Sequence, residues 1–210
     1  MQKRKNKQQP REEKKMAERY PNVRIHETAI VEDGAEIKEG TSIWHHAHVR
    51  RGVKLGENCI LGKGVYVDAD VTIGDGVKIQ NYVSVYHGVT IGNNVFLGPH
   101  MVFTNDSYPR AFNQEWKTVE TKVGDGASIG ANAVIICGVT IGEFSMIGSG
   151  SVVTKDVPAH GLVYGNPAKL RGFVCKCGLT KFPLPEDPAD VDTSKFICEN
   201  CEKTLKGWVK

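Results

Sequence analysis

Four cysteines near the end of the chain have the spacing of a metal site. They fall as Cys175-Lys-Cys177 and, after 20 residues, as Cys198-Glu-Asn-Cys201. Two close thiolate pairs read as a tetrahedral structural zinc site. A segment this short buries little core, and a metal would compensate. The first pair is C-x-C, tighter than the usual C-x2-C, so a reduced, metal-free tail is the competing reading. A second set of chemically able residues gathers mid-chain: His45, His46, His48, Lys63, Gln80, Asn81, Tyr82, His87, His100, Asn105 and Asp106. A neutral imidazole accepts a proton near neutral pH. Amides and carboxylates hold hydroxyls or orient a ring, and lysine meets an anion. A concentration of such groups between residues 80 and 108 marks a candidate site.

What must position them is a repeat. An aliphatic residue or Phe recurs at every sixth position from Ile25 to Phe103, and again from Val123 to Val153. All twenty slots are filled, against a chance of about 10⁻⁸ at 40% hydrophobic content. A period of six is neither the 3.6 of a helix nor the 2 of a simple strand; it is a solenoid period. In Ile73-Gly-Asp-Gly-Val77-Lys78 the first residue fills the interior and the fifth, small or β-branched, takes a second inward slot. Glycine recurs at the second and fourth slots, where the chain turns a corner. The pattern predicts an all-β fold, a parallel β-helix with three hexads per triangular coil and six to seven coils. Residues 18 apart then stack in columns. His45, Lys63 and Asn81 share one, His46, Tyr82 and His100 the next, and Ala69, His87 and Asn105 a third. Cys59 takes an inward slot, whereas Cys137, in a third slot, is expected to be exposed.

The organisation has three parts. Residues 1–20 carry a net charge of +5 out of +3 for the whole chain and almost no apolar side chains, and read as a disordered basic extension. Residues 21–172 form the β-helix, interrupted by an inserted loop at 109–122 that carries Phe112 and Trp116. Loops of this kind map to one face of a solenoid, often the binding face. Residues 173–210 form the cysteine module. No stretch is long and apolar enough for a membrane span, and the basic start lacks a secretory apolar segment. Six cysteines without such a segment predict a reducing, cytoplasmic setting.

Several blocks sharpen the reading. Lys78-Ile-Gln-Asn-Tyr-Val-Ser-Val-Tyr86, Phe96-Leu-Gly-Pro99, Val102-Phe-Thr-Asn-Asp106, Ile43-Trp-His-His46 and Gly165-Asn-Pro-Ala-Lys169 together resemble the hexapeptide-repeat nucleotide-sugar N-acetyltransferases. The group that acetylates the 3-amino group of UDP-2-acetamido-3-amino-2,3-dideoxyglucuronate matches best. The resemblance covers about residues 24–178; its closing GNPAK block is shared widely, and the QN-x-VSVY and VFTND blocks are the specific ones. It implies a left-handed helix, acetyl-CoA as co-substrate, a nucleotide sugar as acceptor and a homotrimer with sites between adjacent β-helices. It assigns Asn81 to the sugar amine, beside Gln80. Relatives commonly carry a second Asn where this chain has Tyr82, which leaves the accepted sugar open.

The implied reaction is attack of a neutral amine on a thioester. His87 is the candidate proton acceptor, with substrate contact or plain exposure as its alternatives. Asn105 and Asp106 would bind sugar hydroxyls or orient His87, and His45 with Lys63 would meet the uridine or pyrophosphate end. Gly130 and Gly148 would let the pantetheine arm of acetyl-CoA approach, and Lys155 and Lys169 would meet its phosphates. Other readings are an acyltransferase for a dTDP-3-amino-6-deoxyhexose, a γ-type carbonic anhydrase, for which the histidine spacing is wrong, and a non-catalytic scaffold for RNA or protein supported only by the uneven charge.

Overall fold

The computed structural model describes residues 18–113, 115, 117–185, 192 and 195–204; the basic extension through residue 17 and Trp116 lie outside them. Short strands follow the hexads, beginning with β1 (Arg24–Ile25), β2 (Ile30–Val31) and β3 (Glu36–Ile37). Each of these three pairs in parallel with the strand 18 residues on, as Ile25 with Ile43 and Val31 with Val49. Three parallel faces result, here A, B and C after β1, β2 and β3, and together they form a triangular prism. The first and fifth slots of each hexad point inward, and from Ile43 to Val153 they form one continuous buried core. Cys59 belongs to it, fully buried.

The inserted segment is looped out without disturbing the register. It leaves face B after β14 (Val102–Phe103) and re-enters at β15 (Thr121–Val123), where Val123 pairs with Ile91 of β12 (Val89–Ile91). The corner bond from Asn93 N–H to Asp125 accordingly spans 32 residues, against 18 for its counterpart from Glu57 to Asp75. Coils approach so closely that second-slot glycines are compulsory. A Cβ on Gly98 would stand 2.6 Å from the Ala131 nitrogen and 2.7 Å from the Gly130 carbonyl carbon, backbone that has no room to retreat.

Both ends are capped. Tyr20, expected in the disordered extension, is buried instead, and its hydroxyl donates to the Ala35 carbonyl at 2.8 Å. At the other end the strict spacing is lost, as the sequence suggests. β21 (Gly161–Gly165) is the eighth parallel strand of face A. β22 (Ala168–Val174) then folds back antiparallel on it and β23 (Lys181–Pro183) on β22, so the last edge is covered. The expected boundary at 172/173 falls inside β22. Beyond it, α1 (Glu199–Thr204) brings the second cysteine pair back to the first.

Candidate functional site

Residues six apart in the repeat lie on successive edges of the prism, and residues 18 apart lie on the same edge. The polar residues expected as a single cluster therefore divide between two edges. Gln80, Asn81 and Tyr82 turn the corner from β10 (Lys78–Ile79) on face A to β11 (Ser84–Val85) on face B. His87 turns the next corner, from B to C, between β11 and β12, and Asn105 and Asp106 follow β14 on that same edge.

On the A/B edge, Trp44, His45, Lys63, Gln80 and Asn81 line a hollow of about 280 Å³. Asn81 Oδ1 accepts the Lys63 N–H at 2.9 Å. The same bond recurs on another edge, at Asp75, Asn93 and Asp125. The Asn81 oxygen is thus committed to coil stacking, and its Nδ2 remains to meet a ligand. Tyr82 takes a left-handed conformation (φ 59°) in a slot that glycine fills one coil earlier, at Gly64. Side chains of this bulk are rare there, and the conformation costs on the order of 1–3 kcal/mol. Its ring lies over Gly64 and stacks on His100 with centroids 5.2 Å apart, and Lys63 Nζ stands 5.7 Å from its centroid. His45 stacks on His26 at 3.5 Å. Desolvation, with the charges of His26, His46 and Lys63, holds its imidazolium below the ordinary histidine range.

On the B/C edge, His87 is half-buried and its Nδ1 lies 2.9 Å from the Ala69 carbonyl oxygen. A carbonyl only accepts, so Nδ1 carries the proton and the neutral ring keeps a lone pair on Nε2. The inserted loop begins and ends beside this corner. Asp106 closes a turn by accepting the Tyr108 N–H at 2.8 Å, and Thr118 packs over Gly88. Tyr108 and Phe112 project from the loop, each more than four-fifths exposed. Cys137, expected to be exposed, is buried, because Ser107 at the start of the loop covers it with its hydroxyl 3.4 Å from the sulfur.

One group of residues on this edge escaped the reading of the sequence. Glu32, Arg50 and Asp68 share a column and form a charged ladder. Arg50 reaches Glu32 at 3.4 Å and Asp68 at 2.9 Å, and His48 lies 2.8 Å from Glu32. Burial raises the Asp68 carboxyl, but the N–H groups of Ala69 and His87, with Tyr66 and Arg50, outweigh it and hold the group below the usual carboxylate range. The signal was the 18-residue spacing of alternating charge, 32, 50 and 68.

The four residues expected to meet acetyl-CoA also divide. Gly130 and Gly148 line a groove of about 510 Å³ with Phe96, Met146, Leu162 and Tyr164. Packing alone demands both glycines, since a Cβ would stand 2.5 Å from the Ser149 nitrogen or 2.7 Å from the Tyr164 Cβ. Lys155 and Lys169 line another groove of about 370 Å³, beyond β20 (Val152–Val153) and so on the B/C edge. Both are exposed, and neither has an acidic partner among the described residues.

The sulfur atoms of Cys175, Cys177, Cys198 and Cys201 all lie within 4.8 Å of one another. Measured pairs are 3.2, 3.9 and 3.4 Å apart. No pair is at bonding distance, and a tetrahedral zinc with Zn–S near 2.3 Å sets its sulfurs about 3.8 Å apart. The donor set fits zinc. A Thr180 hydrogen bond, with the Cys201 N–H, draws the Cys198 thiol down to about 6, toward the thiolate form that binds metal.

Comparison with known proteins places the chain. The sequence profile of the bacterial transferase hexapeptide repeat matches residues 34–69, 70–104 and 120–155, just over half of the chain, and the chain belongs to that family. A 28-residue stretch is 61% identical to the dTDP-3-amino-3,6-dideoxy-alpha-D-galactopyranose 3-N-acetyltransferase of Aneurinibacillus thermoaerophilus, spanning 13% of this chain and only 15% of that protein. Among solved structures, PerB from Caulobacter crescentus, in complex with CoA and GDP-perosamine, is 27% identical with a TM-score of 0.53, over 77% of this chain and 66% of that one. The acetyltransferase domain of PglB from Neisseria gonorrhoeae shares the fold, at 24% identity and a TM-score of 0.50, over 76% of this chain and 64% of that one. No described helix is long and apolar enough to cross a membrane.

Proposed function

We propose that the protein is an N-acetyltransferase that moves the acetyl group of acetyl-CoA to the 3-amino group of a nucleotide-activated amino sugar, with UDP-2-acetamido-3-amino-2,3-dideoxyglucuronate as the leading acceptor. The observation that carries this reading is His87. In a chain of the hexapeptide transferase family, its ring is tethered through Nδ1 to the Ala69 carbonyl, which leaves Nε2 as the nitrogen available to take a proton beside the inserted loop. The sugar amine attacks the thioester carbonyl carbon and Nε2 takes the proton it sheds. The tetrahedral intermediate then collapses, the C–S bond breaks, and the imidazolium returns the proton to the CoA sulfur. A corner N–H would serve the oxyanion.

The division between two edges supports a homotrimer. A three-fold interface is heterologous and joins two different patches of the same surface. The A/B edge of one protomer, with Asn81, His45 and Lys63, would meet the B/C edge of the next, with His87, Asn105 and Asp106. Each edge also carries one acetyl-CoA groove, that of Gly130 and Gly148 or that of Lys155 and Lys169. Lys63 has no acidic partner among the described residues and is free for a uronate carboxylate, whereas Arg110 Nη1 donates to the Pro109 carbonyl at 2.7 Å. The Aneurinibacillus relative favours a second reading, a dTDP-3-amino-6-deoxyhexose acceptor.

The four cysteines would hold one structural zinc, with residues 173–210 as its module and no part in the transfer. The test of function is CoA release with UDP- and dTDP-3-amino sugars, uronic and neutral. Turnover with one class fixes the acceptor; CoA binding without turnover on any sugar overturns it. Asn81 has a discriminating variant. Asn81→Ala should cut kcat/KM strongly. Asn81→Asp, which keeps the acceptor that Asp75 and Asp125 already supply in equivalent slots, should preserve the melting temperature and still lose activity if Nδ2 holds the amine. An active Asn81→Asp would assign Asn81 to the scaffold alone.

A further inference from the structure

Asp68 stands out among the titratable groups that the reaction above leaves unused. Its side chain is only 16% exposed, and both of its oxygens are engaged. Oδ1 accepts from the Ala69 N–H at 2.8 Å, the Tyr66 hydroxyl at 3.1 Å and Arg50 Nη1 at 2.9 Å. Oδ2 lies 3.4 Å from the His87 N–H, one coil above. The two backbone groups it joins belong to the two residues whose carbonyl and ring form the Ala69–His87 hydrogen bond. The carboxylate therefore spans the coil step at the point where the imidazole is tethered.

We infer that Asp68 is a positioning residue for His87: by clamping Ala69 and His87 together it keeps the ring bonded to the Ala69 carbonyl, with Nδ1 protonated and Nε2 open. The inference rests on the proposed role of His87 only for its consequence in catalysis; the clamp itself is a statement about ring geometry. Arg50 and Tyr66 hold the carboxylate in place, and Glu32 touches the far side of Arg50 at 3.4 Å, a contact that a glutamine at position 32 can still accept.

The molecule contains its own control. Glu32 caps the Arg51 N–H at 3.1 Å, the equivalent corner bond two coils earlier, where the capped residue carries no ring. A purely structural corner cap would make Asp68→Asn and Glu32→Gln alike. In Asp68→Asn an amide replaces the carboxylate that now serves both N–H groups. Asp68→Ala removes every acceptor, and a melting curve reports whether each variant is folded.

The ring is read directly by imidazole ¹⁵N shifts in the histidine-labelled full chain. It has seven histidines, and the His87 signal is assigned by its loss in His87→Gln. Wild type and Glu32→Gln should show a single Nδ1–H tautomer above the titration range. Asp68→Asn should show a mixed population and a kcat about tenfold lower with KM unchanged. A folded Asp68→Asn protein that keeps the pure Nδ1–H tautomer overturns the inference. So does a Glu32→Gln variant that loses the tautomer equally. The base assignment fails separately, by full activity in His87→Gln, and the tautomer measurement stands whichever way that result falls.

Discussion

His87→Ala should lower kcat/KM by roughly 10²-fold, about 2.7 kcal/mol of transition-state stabilisation, while the protein stays folded. The magnitude follows from the chemistry. Positioned general bases contribute about 10²–10⁴, and a sugar amine, less basic than a lysine, reaches its neutral form more readily, which places the effect at the lower end. The fold should survive because His87 is half-buried and its one ring hydrogen bond, to the Ala69 carbonyl, is worth on the order of 1 kcal/mol. Steady-state kinetics with the best acceptor, alongside a melting curve, decide the matter. A loss of less than about fivefold would remove His87 as the base and leave it as a substrate contact. His87→Gln refines the result. It can still donate to the carbonyl but takes no proton, so it should be as impaired as alanine.

The sequence was most legible where the physics repeats. One inward apolar residue per hexad at Ile43, Leu61 and Ile79 dictates a stack in parallel register, and the structure pairs those residues. The 14-residue interruption was equally plain, because a broken period shows its own length. Edge membership was less obvious. Asn81 and His87 are close in sequence and belong to one motif-rich block, yet a step of six carries the chain to the next corner. Their proximity along the chain therefore works against their meeting within one protomer.

The competing demands on a single side chain were hidden as well. Nothing in the residue type of Asn81 says that its oxygen is taken by the Lys63 N–H; that follows only from Asp75, Asn93 and Asp125 holding the same bond elsewhere. Gly130 and Gly148 suggest room for a ligand when read alone, but the next coil already fills that room. Tyr20 and Cys137 became buried through contacts that involve segments outside the repeat, Tyr20 itself, which caps the Ala35 carbonyl of the first coil, and the start of the inserted loop, which covers Cys137.

Cys201→Ala should abolish metal binding, taking zinc from about one ion per chain to none, and should unfold the cysteine module while leaving the solenoid intact. Cys201 and Cys175 are the buried members of the set, and little apolar surface supports the knuckle they close. Structural zinc contributes about 10–16 kcal/mol of apparent binding free energy in small modules, far more than such a segment gains from packing. The break should be sharp because the chain changes allegiance at one residue. Val174 is tied to the last coil through its N–H to the His160 carbonyl at 2.8 Å and through His160 Nδ1 to its own carbonyl at 2.9 Å. From Cys175 to Thr180 the bonds are local, Cys175 N–H to Thr180 and Gly178 N–H to Cys175, before β23 returns to pair with β22. Phe196 crosses back to pack on Phe173, with centroids 4.6 Å apart, and on Phe182 at 5.0 Å, and these contacts should be lost with the metal. Elemental analysis combined with hydrogen exchange tests both halves of this expectation. Loss of protection should begin at Cys175 and spare β22 up to Val174. Unchanged protection in a metal-free sample would show that the cysteines pack without zinc, and loss that spreads into β21 would show that the metal supports the solenoid's end as well as its own knuckle.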